Sequence, residues 1–111
     1  MALDMSSFGG AIASGRKAKG MSQKELAAKI VKEDGQPITP QYLNDIEHDR
    51  RSPSSDHMIR QFIKVLDIEQ EGALYGLSGV LPEQDQKLVR KASPETVEAA
   101  YVAFRKVLKK G

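Results

Sequence analysis

The sequence is constrained most strongly by a well-defined helix start that follows Met21. Ser22 and Glu25 form an S-x-x-E capping box, in which each side chain can accept a hydrogen bond from the other residue's backbone N–H. Met21 precedes this cap and Leu26 occupies the fourth helical position, which is the spacing of a hydrophobic staple. The pattern therefore predicts that a short amphipathic helix begins directly after Ser22.

A second helix start uses the same chemistry a short distance along the chain. Thr39 is a suitable N-cap, Pro40 suits the first helical position, and Ile38 can staple onto Leu43. Leu43 and Ile46 are expected to point into a core, whereas the polar residues of this helix lie on its other faces. Two short capped helices joined by a polar connector are typical of a helix-turn-helix.

The other segments of the chain also carry helix signals, whereas strand signals are weak. No extended run alternates β-branched or aromatic residues with polar ones, as a half-buried strand would. Further helices are predicted to begin near Ser6 or Ser7, at Ser54 or Ser55, around Ala73, after Pro82 and at Ser93–Pro94. The sequence therefore predicts an all-α fold, with five helices in a domain over residues 6–79 and a C-terminal helical extension over residues 80–111.

Composition excludes several kinds of site. The 111 residues include no cysteine, so disulfide bonds, thiolate metal ligands and a cysteine nucleophile are excluded. No apolar run approaches the roughly 20 residues of a membrane span. Residues 1–8 lack the basic start and the apolar stretch of a signal peptide. We therefore expect a cytoplasmic protein that makes no membrane contact.

No set of residues indicates catalysis or a bound cofactor. The sequence contains no nucleophile elbow, no phosphate-binding glycine motif and no clustered carboxylates. His48 and His57 lie near Asp49 and Asp56, but on separate predicted helices, without the spacing of metal ligands on one helix. The sequence therefore predicts a protein that is not an enzyme and that uses no metal and no cofactor.

The charge of the chain is unevenly distributed. Residues 1–80 contain 10 Lys or Arg and 11 Asp or Glu, a net charge of −1, whereas residues 81–111 contain 7 basic and 4 acidic residues, a net charge of +3. Phosphate contacts supply much of the affinity of DNA-binding proteins. If residues 1–80 bind DNA, individual basic residues must be placed locally against the phosphates.

Several short motifs together resemble one known family. The motifs are Gly20–Gln23, Leu26–Ala27, Tyr42–Glu47 and Arg50–Ser54. In this order they resemble the Cro/C1-type (Xre-like) helix-turn-helix domains, over about Phe8 to Leu77. The resemblance implies a five-helix, lambda-repressor-like domain in a sequence-specific transcriptional regulator. The helix around Thr39–His48 would then read the major groove of double-stranded DNA.

The resemblance also implies roles for individual residues. The base-facing positions are Pro40, Gln41 and Asp45, with Thr39 and Asn44 beside them. The phosphate-contacting positions are Gln23, Arg50 and Arg51. Arg16 and Glu47 match a buried ion pair of the phage repressors. Gln41 is expected to read a base, because an amide can pair with N6 and N7 of adenine. Asp45 could accept from cytosine or orient a neighbouring arginine.

The sequence departs from the family pattern between the two helices. Val31 occupies the position of the usual turn glycine, and about six extra residues follow around Lys32 to Pro37. This connector contains an Asp-Gly turn. It could form a longer turn that contacts DNA phosphate through Lys32, or it could splay the two helices into an altered angle.

The last predicted helix has an apolar face whose partner the sequence does not identify. The face consists of Val97, Ala100, Tyr101, Phe104, Val107 and Leu108. It could cover the domain's own core or form half of a homodimer interface. We expect a homodimeric repressor, because two paired domains read more base pairs than one. The alternative is an antitoxin or an interaction adaptor whose C-terminal helices bind a partner protein.

Overall fold

The computed structural model describes residues 3–53 and 55–111, and every regular element within them is a helix. The helices are α1 (Phe8–Ala18), α2 (Gln23–Lys29), α3 (Pro40–Glu47), α4 (Asp56–Leu66), α5 (Glu71–Ser78), α6 (Glu83–Lys91) and α7 (Pro94–Lys110). The predicted all-α class is confirmed. The chain divides into two compact units, Met1–Val80, which contains α1–α5, and Leu81–Gly111, which contains α6 and α7.

Side-chain capping explains where four of the helices begin. The hydroxyl groups of Ser7, Ser22, Thr39 and Ser93 each accept a hydrogen bond from a backbone N–H in the first turn of the following helix. At Ser22 the capping box is complete, since the backbone N–H of Ser22 also donates to the Glu25 carboxylate at 3.1 Å. The two helix starts on which the sequence argument depends are therefore fixed by local chemistry.

α4 begins at one of the two predicted positions, but without a side-chain cap. Ser55 occupies the N-cap position, and its side chain makes no capping hydrogen bond. Ser54, the other predicted start, lies outside the described residues. The Asp56 carboxylate in the first turn accepts from Nε of Arg60 at 3.0 Å and from the Tyr75 hydroxyl. The start of α4 is thereby tied to α5 by a contact between residues distant in sequence.

Residues from α1 to α5 enclose one hydrophobic core. Its fully buried large side chains are Ile12, Leu26, Ile30, Leu43, Ile46, Met58, Ile59, Phe62 and Leu74. Phe8 and Phe62 meet edge to face, with ring centroids 6.2 Å apart. Because α3 contributes two of these side chains from one face, its orientation in the domain is set by the core.

The close approach of α1 and α3 depends on Gly9. A Cβ at this position would overlap the backbone carbonyl oxygens of Ile46 and Glu47. Asp49, whose φ of 59° lies in the left-handed region, accepts from the Gly9 N–H at 2.8 Å and from the Ser7 hydroxyl at 2.7 Å. The residues that follow α3 therefore hold the first turn of α1, and α3 is anchored at its C-terminal end.

The connector between α2 and α3 is a closed turn. Val31 and Pro37 form an isolated antiparallel bridge, and Gly35 adopts a φ of 86° at the turn, where glycine carries no steric penalty. The side-chain amide of Gln61 on α4 donates to the Val31 carbonyl at 2.7 Å and accepts from the Val31 N–H at 2.8 Å. The extra residues therefore form a longer turn whose base is fastened to α4.

The second unit, taken by itself, has no core. None of residues 81–111, all of which are described, is buried. Leu88, Phe104, Val107 and Leu108 each have more than half of their surface exposed. Tyr101 and Phe104 on α7 meet edge to face, with ring centroids 6.4 Å apart. This unit consequently presents large apolar side chains to solvent.

Candidate nucleic-acid interface

α3 buries one face and presents a polar one. Leu43 and Ile46 are fully buried in the core. The predicted base-facing residues lie elsewhere on α3 and at its N-cap, with Thr39, Pro40 and Gln41 exposed and with Asn44 and Asp45 half-buried. The structure therefore brings all five together at and beyond the N-terminal turn of α3. This placement would allow them to enter a groove of DNA.

Gln41 and Arg50 are both held by Asp45. Oδ1 of Asp45 accepts a hydrogen bond from Nε2 of Gln41 at 3.0 Å and from Nε of Arg50 at 3.2 Å. Asp45 therefore orients the neighbouring arginine, which was one of the two roles considered for it. The ion pair is open to solvent, since the Arg50 side chain is 56% exposed. Its main effect is to restrict the orientation of Gln41 and Arg50, because exposed ion pairs add little stability.

Arg51 is positioned by an aromatic ring. Its guanidinium carbon lies 4.2 Å from the centroid of the Tyr42 ring, within the range of a cation–π interaction. Tyr42 lies on α3 and packs partly against the core. This contact restrains the position of an exposed guanidinium next to the predicted base-facing residues. The sequence analysis assigned no site role to Tyr42. An aromatic residue nine positions before an arginine gives no local sign that the two side chains are in contact.

A buried ion pair lies behind the polar face of α3. Arg16 on α1 donates from Nε to Oε2 of Glu47 at 2.7 Å and from Nη2 to Oε1 at 3.0 Å. The exposed fractions of the two side chains are 12% and 3%. The hydrogen bonds from Arg16 to Glu47 raise the pKa of the arginine above its ordinary value. Arg16 also donates to the Met21 carbonyl at 2.9 Å, so one guanidinium connects α1, α3 and the turn before α2.

Gln23 joins this ion pair to the polar face. Its Nε2 donates to Oε1 of Glu47 at 3.0 Å and to Oδ1 of Asn44 at 3.1 Å. The resemblance had implied that Gln23 donates to phosphate, and in this structure both donor contacts of its amide are made within the protein. No buried side-chain nitrogen or oxygen among the described residues lacks a hydrogen-bond partner. The buried atoms of the network are therefore all hydrogen-bonded, and these bonds hold its members in place.

The remaining predicted phosphate contact, Lys32, lies in the closed connector. Lys32 is exposed, and its backbone N–H donates to the Gln36 carbonyl at 2.8 Å across the turn. Glu33 and Asp34 follow it and are also exposed. The connector therefore presents two acidic side chains next to the one basic side chain.

The described residues contain neither a cluster of metal-binding side chains nor a helix suited to span a membrane. Within residues 3–53 and 55–111, no three His, Asp or Glu side chains lie close enough together to hold a metal ion. None of the helices in these segments combines the length and the apolar character of a membrane span.

Comparisons with known proteins agree with the geometry. Residues 12–62, from α1 to α4, match the protein family described as Helix-turn-helix. The resemblance to Cro/C1-type helix-turn-helix domains is thereby confirmed, and it is confirmed for residues 12–62, which contain the two capped helices α2 and α3.

Two individual proteins are similar to this chain. A Yarrowia lipolytica (strain CLIB 122 / E 150) protein described as a multi-protein-binding factor 1 is 39% identical over 71 residues. The match covers 64% of this chain and 42% of the Yarrowia protein, so the chain spans less than half the length of that relative. A solved structure of a SinR protein/SinI protein complex aligns with a TM-score of 0.49 and 27% identity, over 94% of this chain and 99% of that one.

Proposed function

We propose that this protein is a sequence-specific DNA-binding transcriptional regulator, not an enzyme, and that α3 reads the major groove. The observation that carries the proposal is the division of α3 into two faces. Leu43 and Ile46 fix the helix in the core, while the exposed N-terminal turn presents Gln41. The major groove of B-DNA is wide enough for a helix, and the first turns of a recognition helix reach the base edges.

The proposed base contact is made by Gln41. Its Nε2 donates one hydrogen bond to Asp45, so Oε1 and the second N–H of Nε2 can face a base. An amide that offers one acceptor and one donor is complementary to N6 and N7 of adenine. Asp45 thus restrains the rotation of Gln41 before DNA arrives, which reduces the conformational entropy lost on binding.

The proposed phosphate contacts are made by individual basic residues. Arg50 and Arg51 directly follow α3, and Arg51 is already oriented by its stacking on Tyr42. Lys32 and Gln23 are further candidates; to reach a phosphate, Gln23 would exchange its hydrogen bond to Glu47 and keep the one to Asn44. Because residues 1–80 have a net charge of −1, we expect few phosphate contacts and a correspondingly shallow dependence of affinity on salt.

Two substitutions test these roles against each other. The binding site is first obtained by selecting duplexes from a random pool, and affinities are then measured by fluorescence anisotropy on the selected duplex and its single-base variants. Gln41→Ala should weaken binding by about 1–3 kcal/mol and relax the preference at one base pair. Arg51→Ala should weaken binding to all duplexes alike and reduce the salt slope by about 1. Equal losses on every duplex for both variants would refute the base-reading role.

We further propose that the protein acts as a homodimer joined through Leu81–Gly111, and that it represses by occupying its site. A unit of 31 residues without a buried side chain is too small to be stable alone, since chains below about 40 residues usually need oligomerisation or cross-links. On α7, Val97, Tyr101, Phe104 and Leu108 recur at intervals of four, three and four residues, which is the spacing of a coiled-coil seam.

The charges beside this apolar seam favour an antiparallel pair of α7 helices. The seam is symmetric about the midpoint between Tyr101 and Phe104, so an antiparallel partner would place Tyr101 against the partner's Phe104. Glu98 and Arg105 are seven residues apart and therefore lie on the same flank of the seam. In an antiparallel pair Glu98 would face the partner's Arg105, and the two-fold axis would repeat this ion pair.

Charge reversal tests the dimer by sedimentation of the full chain. Glu98→Arg or Arg105→Glu alone should raise the dimer dissociation constant, because each creates like-charge pairs, and the double variant should restore dimerisation. Lys106→Glu serves as the control. It makes the same change of charge as Arg105→Glu, but Lys106 lies one residue further from the seam than Arg105. A chain that stays monomeric at about 100 μM, well above the roughly micromolar constants of standard interfaces, would exclude the homodimer.

The second candidate function is that of an antitoxin or adaptor whose C-terminal helices bind a different protein. One observation favours it, namely a groove of about 470 Å³ between α6 and α7 that is lined mainly by apolar residues, including Leu88, Val89, Val97, Tyr101 and Phe104. A monomer that selects no DNA sequence but forms a stoichiometric complex with another protein through this groove would support the second candidate over the first.

A further inference from the structure

The hydrogen bonds of the buried ion pair determine which atom Gln23 can present to it. A carboxylate only accepts hydrogen bonds, and both oxygens of Glu47 accept from Arg16. Gln23 must therefore turn its amide nitrogen, not its oxygen, toward Oε1 of Glu47, as the 3.0 Å contact from Nε2 indicates. The reverse orientation would place two oxygens in contact without a hydrogen between them.

The orientation of Gln23 in turn determines that of Asn44. The amide nitrogen of Gln23 carries two hydrogens, and the second is donated to Oδ1 of Asn44 at 3.1 Å. Asn44 must therefore direct its oxygen inward and its amide nitrogen, Nδ2, away from Gln23. The Glu47 end of this series is shielded, since its side chain is only 3% exposed, so water does not readily replace the hydrogen bonds.

We propose that Asn44 acts as a hydrogen-bond donor in the DNA complex and selects guanine, with Gln23 as its positioning residue. This inference rests on the proposed function, in which α3 lies in the major groove. Asparagine commonly pairs with adenine, using its oxygen to accept from N6 and its nitrogen to donate to N7. At Asn44 the oxygen is engaged by Gln23, whereas both hydrogens of Nδ2 can reach the two acceptors of guanine, N7 and O6.

The two amides of α3 then differ in what they offer to DNA. Gln41 donates to Asp45 and is left with its oxygen and one N–H, whereas Asn44 accepts from Gln23 and is left with its Nδ2 hydrogens. The orientation of each amide is set by an acidic residue, Asp45 directly and Glu47 through Gln23. The polar face of α3 therefore offers an acceptor and a donor at Gln41 and only donors at Asn44.

The test uses the duplex selected from a random pool and replaces each of its guanines in turn by an analogue. Inosine retains N7 and O6, 7-deazaguanine lacks N7, and 2-aminopurine lacks O6. At one guanine, the wild-type protein should tolerate inosine and lose about 5- to 150-fold in affinity with the other two analogues, the range of a bidentate contact. Asn44→Ala should abolish the difference between the analogues at that guanine.

Changing Gln23 tests the positioning directly. Gln23→Met retains much of the side-chain volume but releases the Asn44 amide, which can then rotate. The preference for guanine at that base pair should fall or shift toward adenine, while the preference at the pair read by Gln41 is retained. Gln23→Ala provides a second variant if the methionine variant is poorly folded, and far-ultraviolet circular dichroism of each variant confirms the fold.

Three results would overturn the inference, and they are distinguishable from failure of the proposed function. If no duplex is enriched, the proposed function fails and this inference fails with it. If a duplex is enriched but Gln23→Met leaves its base preferences unchanged, only the inference fails. If Asn44→Ala weakens all duplexes alike and a neutral methylphosphonate at one position removes that loss, Asn44 donates to a phosphate and not to guanine.

Discussion

Replacing Arg16 by methionine should destabilise the α1–α5 domain by about 3 kcal/mol. The substitution removes two hydrogen bonds to Glu47 and one to the Met21 carbonyl, and it leaves the Glu47 carboxylate with only the N–H of Gln23. Removing one partner of a buried ion pair typically costs about 3–5 kcal/mol. The lower end applies here because Arg16 is itself 12% exposed and because Gln23 still donates to Glu47.

The loss should be large relative to the total stability. A domain of the size of Met1–Val80 has a free energy of unfolding of about 4–12 kcal/mol. At about 4–8 °C for each kcal/mol, the midpoint of thermal unfolding should fall by at least about 12 °C. Urea unfolding of the full chain, followed by circular dichroism at the helix band, measures the change in free energy.

The double variant Arg16→Met/Glu47→Leu provides the control. Removing both charges eliminates the unpaired buried carboxylate, so the double variant should be more stable than Arg16→Met and about as stable as the wild type. The reasoning is refuted if Arg16→Met costs less than about 1 kcal/mol, or if the double variant is no more stable than the single one.

Three further predictions concern packing, a hydrogen bond and titration. Gly9→Ala should cost at least about 3 kcal/mol by overpacking against backbone atoms of α3, whereas Gly15→Ala, whose Cβ would lie 3.3 Å from a movable leucine methyl, should cost far less in the same urea assay. Tyr75→Phe should cost about 1–3 kcal/mol, because the hydroxyl donates to the charged Asp56; a loss below about 0.5 kcal/mol would exclude this bond. The cap hydrogen bonds to Ser22 lower the pKa of Glu25 below its ordinary value of 4.5. The ionised Glu25 carboxylate therefore stabilises the fold above pH 4.5, and this contribution is lost as the pH falls through the lowered pKa. Unfolding measured against pH should therefore be less acid-sensitive in Glu25→Gln than in the wild type, and identical acid sensitivity would contradict this role.

The elements that sequence reasoning predicted are those whose determinants lie within a few residues. Ser22 and Glu25 satisfy each other across three positions, and Thr39 with Pro40 fixes the start of α3, so both helix starts could be predicted without tertiary information. The family resemblance supplied the order in which these elements pack.

The features that were missed depend on contacts between residues distant in sequence. Gln61 fastens the connector through Val31, thirty residues away, and a glutamine in a helix carries no local sign of this contact. Asp49, whose backbone adopts the left-handed conformation, holds the first turn of α1 across forty residues of sequence. Nothing in the sequence identifies the backbone of α3 as the surface against which Gly9 packs. α5 begins at Glu71, two residues before the predicted position around Ala73.

The same distinction applies to the candidate site. The residue types at Gln41, Asn44 and Arg51 indicated contact with DNA, but their orientations depend on Asp45, Gln23 and Tyr42, respectively. Each of these partners is polar or aromatic, and each could equally have been a solvated helix residue from its position in the sequence. The residues of the candidate site could therefore be named from the sequence, whereas the hydrogen-bond network that orients them could not be predicted.

The measurement that tests the central claim most directly is the ratio of specific to non-specific DNA affinity. The full chain is titrated by fluorescence anisotropy against its selected duplex and against a shuffled duplex of the same composition, at two salt concentrations. The account predicts binding to the selected duplex that weakens with a shallow slope as salt rises and that is at least about a thousandfold tighter than binding to the shuffled duplex. Equal and weak binding to both duplexes would contradict the claim that α3 reads a DNA sequence.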